Sequence, residues 1–365
     1  MSNNSPAKRY ATSRTFLAVT LVLLAGVPAC GDLDETDSDP PSVNALASWD
    51  SSHLVAVRTY HRDPVIVDLQ SGRETGALHS DKYYNDIATI GDGQFICLHN
   101  QSIDFFRSDG TLDETRSIPG RQFAAMAVSA DRSTLAYAIV ADPTNNNIGI
   151  ADLATGDKYL PSPDVTFNSG LSISRDGKLV AFDEGDVEVA TTHPPDATTT
   201  CVLALDPRHP GGPIATAFSP VEDKLAVSKV DGGVNVFDLS HFPDCTLVSS
   251  YLSPEDDAPT IQHVEFSPDG SVVAISVEQS AASAGAGVVV MTGAVRLIDA
   301  GSGAMLKELP IYAWQMMTSG PATGGTLITD LQWSDTGDQL AVSTSEGPVQ
   351  QWDIASGVLL WSANL

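Results

Sequence analysis

The sequence has few basic residues, and this shortage narrows the range of partners. Its 365 residues include 19 lysines and arginines against 46 aspartates and glutamates, a formal charge of −27 at pH 7. Nucleic-acid binding is disfavoured, because phosphates are repelled by an acidic surface and no basic stripe with interleaved aromatics occurs. The excess of acid therefore indicates a solvated acidic surface, with a cationic partner as the alternative.

Catalytic motifs are also missing. The sequence contains no G-x-S-x-G elbow, no H-E-x-x-H, no C-x-x-C and no phosphate-binding G-x-x-x-x-G-K-[ST] loop. Its eight histidines are scattered, and no two have the i, i+2 or i, i+4 spacing of a metal site on a strand or helix. Distant residues can still meet in a folded chain, but the sequence predicts no metal, no cofactor and no enzyme activity.

The N-terminal region has the pattern of an export signal. Lys8, Arg9 and Arg14 precede or flank an apolar run, Phe16–Val27, and no acid occurs before Asp32. Twelve apolar residues are too few to cross a bilayer but fit the core of a signal peptide. Residues 1–29 are therefore predicted to be a signal peptide.

The next residues resemble a bacterial lipobox, in which small and aliphatic residues precede a lipidated cysteine. Val27, Ala29 and Cys30 fit this pattern, and Pro28 stands where a small residue is usual. The resemblance implies lipidation at Cys30, membrane attachment through the lipid alone, and a place in the bacterial cell envelope as an outer-membrane lipoprotein facing the periplasm or the surface. Ordinary cleavage near Ala29 and a retained anchor are the alternatives.

Residues 30–42 are predicted to form a disordered tether, because like charges repel and prolines stiffen the chain. Five acids precede Pro40 and Pro41: Asp32, Asp34, Glu35, Asp37 and Asp39.

The remaining cysteines suggest little. Cys97 lies in the apolar run QFICLHN and is expected to be a core thiol. If Cys30 is lipidated, three cysteines are left, and an odd number makes a poor disulfide framework. Whether Cys201 and Cys245 pair stays open.

Residues 43–365 repeat one pattern seven times. The clearest copy, Ile261–Pro310, reads IQHVEFSPDG, VVAISVE, VRLIDAGSG and MLKELP, which are four alternating runs separated by Asp, Gly and Ser. Such runs indicate four short antiparallel strands joined by tight turns. The seven units lie near 43–79, 87–118, 123–161, 168–205, 214–252, 261–310 and 328–365.

These units resemble the WD40 and WD40-like repeat family. The turns Ser267–Gly270 and Ser174–Gly177, and the pair Trp352-Asp353, carry the resemblance, whereas the Gly-His dipeptide of typical WD40 units is absent. The resemblance implies an all-β fold, a seven-bladed β-propeller of four-stranded antiparallel blades. Aspartates that recur at its turns are predicted to accept backbone N–H bonds there: Asp68, Asp152, Asp176, Asp238, Asp269, Asp299 and Asp353.

Long loops mark the predicted binding face. In the family, loops between strands two and three and loops between blades emerge on one face, and five of the longest loops are of these kinds: 141–147, 206–213, 253–260, 279–293 and 313–326. The last two flank blades 6 and 7. The candidate binding residues are Tyr312, Trp314, Met316 and Met317, which could instead only cover the seam between these blades.

The predicted function is a non-catalytic propeller that binds an unknown protein or peptide partner, without nucleic acid. A propeller enzyme of the lactonase or quinoprotein type is one alternative. An envelope assembly factor resembling TolB is another, although an acidic tether stands where TolB has a separate domain. How the ring closes is left open.

Overall fold

The structure is a computed structural model that describes most of residues 43–365. It leaves out residues 51, 59–62, 79, 81, 92, 100, 101, 118–121, 141–145, 156, 157, 160–168, 184, 185, 193–199, 204–214, 230, 231, 255–258, 283–288, 312–327, 346 and 347. The predicted signal peptide, Cys30 and the tether lie outside the described residues. A search of the described part finds no helix of the length and apolarity needed to cross a membrane.

Each repeat unit forms one four-stranded antiparallel sheet, a blade, with its strands in chain order. Blade 1 consists of β1 Val43–Asp50, β2 His53–Arg58, β3 Val65–Asp68 and β4 Glu74–Ala77. Blade 2 consists of β5 Asp86–Gly91, β6 Gln94–His99, β7 Ser102–Phe106 and β8 Leu112–Ser117. Blade 3 consists of β9 Gln122–Val128, β10 Thr134–Val140, β11 Asn146–Asp152 and β12 Lys158–Tyr159. Blade 4 consists of β13 Ser169–Ile173, β14 Leu179–Asp183, β15 Val187–Thr191 and β16 Thr200–Leu203. Blade 5 consists of β17 Thr216–Phe218, β18 Lys224–Ser228, β19 Val234–His241 and β20 Asp244–Tyr251. Blade 6 consists of β21 Val264–Phe266, β22 Val272–Ala282, β23 Val289–Asp299 and β24 Met305–Ile311. Blade 7 consists of β25 Ile328–Trp333, β26 Gln339–Thr344, β27 Val349–Asp353 and β28 Val358–Ala363.

The seven blades close into a ring. Each hydrophobic cluster of the core is shared by two neighbouring blades, and the series runs through all seven pairs, including blades 7 and 1. The first strand of every blade lies against the first strand of the next, so the first strands surround the central axis. The all-β, seven-bladed propeller predicted from the repeats is confirmed.

Burial explains the strand patterns. The second strand of a blade is covered on both faces by neighbouring blades, so β26 (QLAVST) is buried at all but its first residue. The fourth strand lies at the rim, and β28 (VLLWSA) alternates exposed and half-buried residues along its length.

The turn between strands one and two is built by a serine and an aspartate. In blade 6 the Ser267 hydroxyl donates to Asp269 Oδ1 (2.6 Å) and accepts from the Val272 N–H (3.0 Å), while Asp269 Oδ1 also accepts from the Ser271 N–H (3.0 Å). Gly270 takes a φ of 72°, which glycine adopts without strain. Blade 4 repeats the bond between serine and aspartate with Ser174 and Asp176, and blade 3 does so with Ser129 and Asp131, an aspartate that the sequence prediction had not included.

The turn between strands three and four uses a second aspartate. Asp68 Oδ1 accepts from the Ser71 N–H (2.7 Å) and the Ser71 hydroxyl (2.6 Å), and these bonds lower the pKa of Asp68. The other aspartates proposed for this turn, each accepting a backbone N–H two or three residues ahead, are Asp152, Asp238, Asp299 and Asp353.

The ring closes without exchanging strands between its ends. Blade 1 contributes Val43 and Leu46, and blade 7 contributes Ala341 and Leu365, to one shared cluster. At the rim, the Trp361 indole N–H donates to the Leu69 carbonyl (2.7 Å). Face-to-face packing of blade 7 on blade 1 therefore closes the ring.

A disulfide joins the fourth strands of two neighbouring blades. Cys201 of blade 4 and Cys245 of blade 5 are bonded, with 6.4 Å between their Cα atoms. The question left open by the cysteine count is thus answered for this pair. Cys97 remains a free, fully buried thiol in β6.

Replacing Gly72 should test the closing seam. A Cβ at Gly72 would lie 2.6 Å from the Trp361 ring, and the residue has a φ of +66°. We expect Gly72→Ala to lower the free energy of unfolding by more than about 2 kcal/mol, because strain and overlap add. Urea unfolding measures the loss.

Gly357→Ala is the matched control, because Gly357 lies in the same turn of blade 7 with a φ of +71°. Its nearest neighbour is the flexible Lys307 side chain at 3.2 Å, so only the backbone cost of about 1 kcal/mol is expected. Equal losses in the two variants would show that Trp361 does not press on the closing turn.

Candidate functional site

The candidate site lies along the central axis, on the first strands of blades 2, 6 and 7. Most first strands carry small residues there, such as Ala45 and Ala125. Three blades carry ionisable groups instead. Asp86 belongs to blade 2, His263 and Glu265 to blade 6, and Asp330 to blade 7, and all four are half-buried.

The two aspartates bind backbone groups of the next blade. Asp330 Oδ1 accepts from its own neighbour, the Leu331 N–H (2.8 Å), and Oδ2 accepts from the Leu46 N–H of blade 1 (2.7 Å). Asp86 repeats the arrangement with the Ile87 N–H (2.8 Å) and, at 3.4 Å, the Met126 N–H of blade 3. Each carboxylate therefore links two adjacent first strands around the axis.

Two glutamates of blade 6 point towards blade 7. Glu278 is almost fully buried, and its Oε1 accepts from the Ile328 N–H at the start of blade 7 (2.6 Å). Glu265 is close enough to Asp330 of blade 7 for the aspartate's charge to raise its pKa, and its buried Oε2 has no hydrogen-bond partner among the described residues. The seam between blades 6 and 7 is thus the more polar part of the candidate site.

Burial sets the protonation of these groups. Removal from water raises the pKa of Asp330 to about 7, and the charge of Asp86 contributes to the rise. Burial also raises the pKa of Asp86 to about 6 and that of Glu278 to about 7, and it holds the pKa of Glu265 well above its usual range. Burial acts oppositely on a base and lowers the pKa of His263 to about 4.

A carboxyl group that titrates near neutral pH can donate or accept a proton, so this arrangement is chemically capable of acid–base work. Its aspartates are nevertheless engaged with backbone N–H groups. Within the residues that the structure describes, no group of three or more His, Cys, Asp and Glu side chains is arranged to hold a metal ion.

Sequence reasoning missed these residues. The available signal was an acid inside an otherwise apolar first strand, as in ITDLQW, VEF and DIATIG. Nothing in the repeat pattern shows which acids face the axis, because that depends on the neighbouring blade.

A second buried acid belongs to the structure of blade 2. Asp104 is fully buried and accepts from Lys82 Nζ (2.7 Å), the Tyr84 hydroxyl (2.6 Å) and the Thr115 hydroxyl (2.7 Å). This set ties the segment entering blade 2 to its third and fourth strands. With so many bonds already made, Asp104 is a structural group rather than a candidate site.

The predicted binding face is described only in part. Tyr312, Trp314, Met316 and Met317 lie outside the described residues. The first insert, 279–293, extends β22 and β23, which pair without interruption from Val272↔Asp299 to Ala282↔Val289. At about 3.3 Å per residue, the four pairs beyond Glu278 lengthen the hairpin by roughly 13 Å.

Comparison with protein-family models and with curated proteins gives no match for this chain. Its function is therefore inferred from the geometry.

The pKa of Asp330 gives a testable pH dependence. A carboxyl whose pKa is raised by folding contributes stability below the pKa of the unfolded chain, near 4, and loses it as the pH rises through about 7. Between pH 5 and pH 8, the stability of Asp330→Asn relative to the unsubstituted chain should therefore rise, by on the order of 2 kcal/mol. Urea unfolding at the two pH values measures this.

Asp244→Asn is the control, because Asp244 is exposed at the rim and its replacement changes the net charge equally. Its relative stability should change little with pH. The same pH trend in both variants would assign the effect to net charge rather than to burial of Asp330.

Proposed function

We propose that this chain is a non-catalytic binding propeller of the WD40-like kind, displayed at the bacterial cell envelope, which takes a protein or peptide partner on its loop face around blades 6 and 7. The single observation that carries the proposal is the long hairpin of β22 and β23. Each of these strands has 11 residues, whereas the second and third strands of the other blades have 4 to 8.

The composition of this hairpin suits contact with a partner. Residues 279–293 contain no charged side chain in a chain of net charge −27. Covering an uncharged segment avoids the cost of removing charges from water. Its root is held firmly, because Glu278 binds the first strand of blade 7 at the Ile328 N–H. A paired hairpin on a rigid ring also loses little conformational freedom on binding.

Two features support a place in the envelope. The bond between Cys201 and Cys245 fits an oxidising compartment, since disulfides are rare in the bacterial cytosol. The signal-like residues 1–29 and the lipobox-like Cys30 fit export and lipid attachment. We therefore propose that the ring is tethered to the membrane by an acyl chain.

Shortening the hairpin tests the proposal. Gln279 and Thr292 are directly paired, and the backbone N–H and C=O of Glu278 bind Thr260 on the other side of β22. Replacing residues 280–291 with Asn-Gly should therefore close a two-residue hairpin turn without disturbing the ring. We expect this variant to unfold at the same temperature as the unsubstituted chain and to lose chemical cross-links to its partner in intact cells.

The control is Glu222→Gln, because Glu222 is exposed at the turn between strands one and two, on the opposite face. It should keep every cross-link. A partner captured equally by the shortened variant would contradict a binding role for the hairpin.

The carboxyl groups of Asp86, Glu265 and Asp330 along the axis favour a second candidate function, that of a propeller enzyme. Under this alternative, the purified chain hydrolyses members of a lactone panel, and Asp330→Asn lowers the rate by at least about 100-fold. The binding proposal expects hydrolysis no faster than in buffer. Lactone hydrolysis that is faster than in buffer and is abolished by Asp330→Asn would contradict the binding proposal and support the enzyme.

A further inference from the structure

The rims of blades 5, 6 and 7 share an unusual exposed surface. In each of them, two large apolar side chains lie on the fourth strand, with 40–56% of their surface exposed. We call this surface the apolar rim, and its six residues are Leu247, Val248, Met305, Leu306, Val358 and Leu360. Patches of exposed apolar side chains mark contact surfaces in soluble proteins.

One residue of each apolar pair occupies the same structural position in the three blades. A β-bulge leaves one residue of the fourth strand unpaired, and this residue is Val248 in blade 5, Leu306 in blade 6 and Leu360 in blade 7. Blades 1 and 2 have the same bulge, but there the unpaired residues are Thr75 and Asp113. Among the described bulges, an apolar residue stands at this position in blades 5, 6 and 7 only, so it is no requirement of the bulge.

The bulge also indicates how a partner would bind. Bulges protect sheet edges from pairing with another strand, because they twist the edge and disrupt its row of free N–H and C=O groups. A partner of this surface would then contact the exposed side chains instead of adding a strand.

A partly exposed aspartate lies near each apolar pair. Asp238 lies in β19, and Asp299 and Asp353 are the last residues of β23 and β27, the third strands of these blades. Asp353 is paired directly with Val358. Hydrogen bonds from neighbouring serines lower the pKa of all three, so they are ionised at neutral pH.

The nearest lysines are already engaged. Lys224 is paired with Glu222, and Lys307 Nζ donates to the carbonyls of Ile354 and Ala355. The charges of these lysines lower the pKa of the three aspartates but form no ion pair with them among the described residues. Each blade of the apolar rim thus presents at least one acidic side chain near its two apolar side chains.

We propose that the apolar rim of blades 5 to 7 is a docking surface for a cationic, amphipathic protein segment, whose apolar side chains cover the exposed pairs and whose lysines or arginines face the turn aspartates. A second copy of this chain fits less well, because each copy carries a net charge of −27 and presents the same acids. This surface is separate from the hairpin of β22 and β23, so the inference does not depend on that hairpin's function.

A peptide titration tests the proposal. The probe is a fluorescein-labelled 14-residue peptide of alternating leucine and lysine, and its anisotropy is followed as the full chain is added. We expect saturable binding that weakens at least tenfold in Met305→Ser/Leu306→Ser. Leu112→Ser is the matched control, because Leu112 precedes the bulge of blade 2 and is 51% exposed, against 48% for Met305. It should leave the binding unchanged.

Two further probes separate apolar docking from attraction to net charge. A peptide of alternating serine and lysine should bind at least tenfold more weakly than the leucine peptide, and a leucine–glutamate peptide should not bind. Equal binding of the serine and leucine peptides, or equal loss in Leu112→Ser, would overturn the proposal.

Sedimentation of the chain without peptide tests whether a second copy of the chain occupies the apolar rim. We expect the unsubstituted chain to be monomeric, and the chain shortened at residues 280–291 to bind the leucine peptide normally. A dimer that Met305→Ser/Leu306→Ser abolishes would assign the apolar rim to a second copy and overturn the cationic partner.

Discussion

A four-stranded blade is stable only when both faces of its sheet are covered, and in this chain each blade is covered by the blades before and after it. Fully buried residues such as Leu54, Leu135 and Leu225 lie in second strands, where two neighbours meet. Each such side chain contributes about 1.5–3 kcal/mol when it leaves water. Leu54 belongs to the cluster shared by blades 7 and 1, so its contribution requires the ring to close.

The same packing leaves backbone N–H groups of the first strands in need of acceptors, and the buried aspartates near the axis supply them. First strands of adjacent blades approach closely around the axis but do not pair as a sheet, so some of their N–H groups need other acceptors. Asp330 and Asp86 supply carboxylate oxygens to the Leu46 and Met126 N–H groups of the next blade. The cost of burying these carboxylates appears as their raised pKa values, so both aspartates titrate near physiological pH.

Local chemistry made much of the fold predictable. Alternating runs and clusters of Asp, Gly and Ser are properties of neighbouring residues, and Asp269 or Asp353 acts within three residues of its place in the sequence. Relations between blades were not predictable in this way. Cys201 and Cys245 are 44 residues apart, and their pairing depends on how two rims meet. The role of Asp330 depends on Leu46, which lies 284 residues away. The bulges that define the apolar rim are shifts in pairing that no composition reveals.

Closure by packing alone has a consequence for how this chain can be rearranged. Every blade is one uninterrupted stretch of sequence, and no sheet borrows a strand from the far end of the chain. A cut in any connection between blades would leave all seven sheets whole, and joining Leu365 to Val43 would restore a continuous chain. The chain could therefore begin at any of the seven blades. Circular permutants that begin at different blades would share the same hydrogen-bonded sheets.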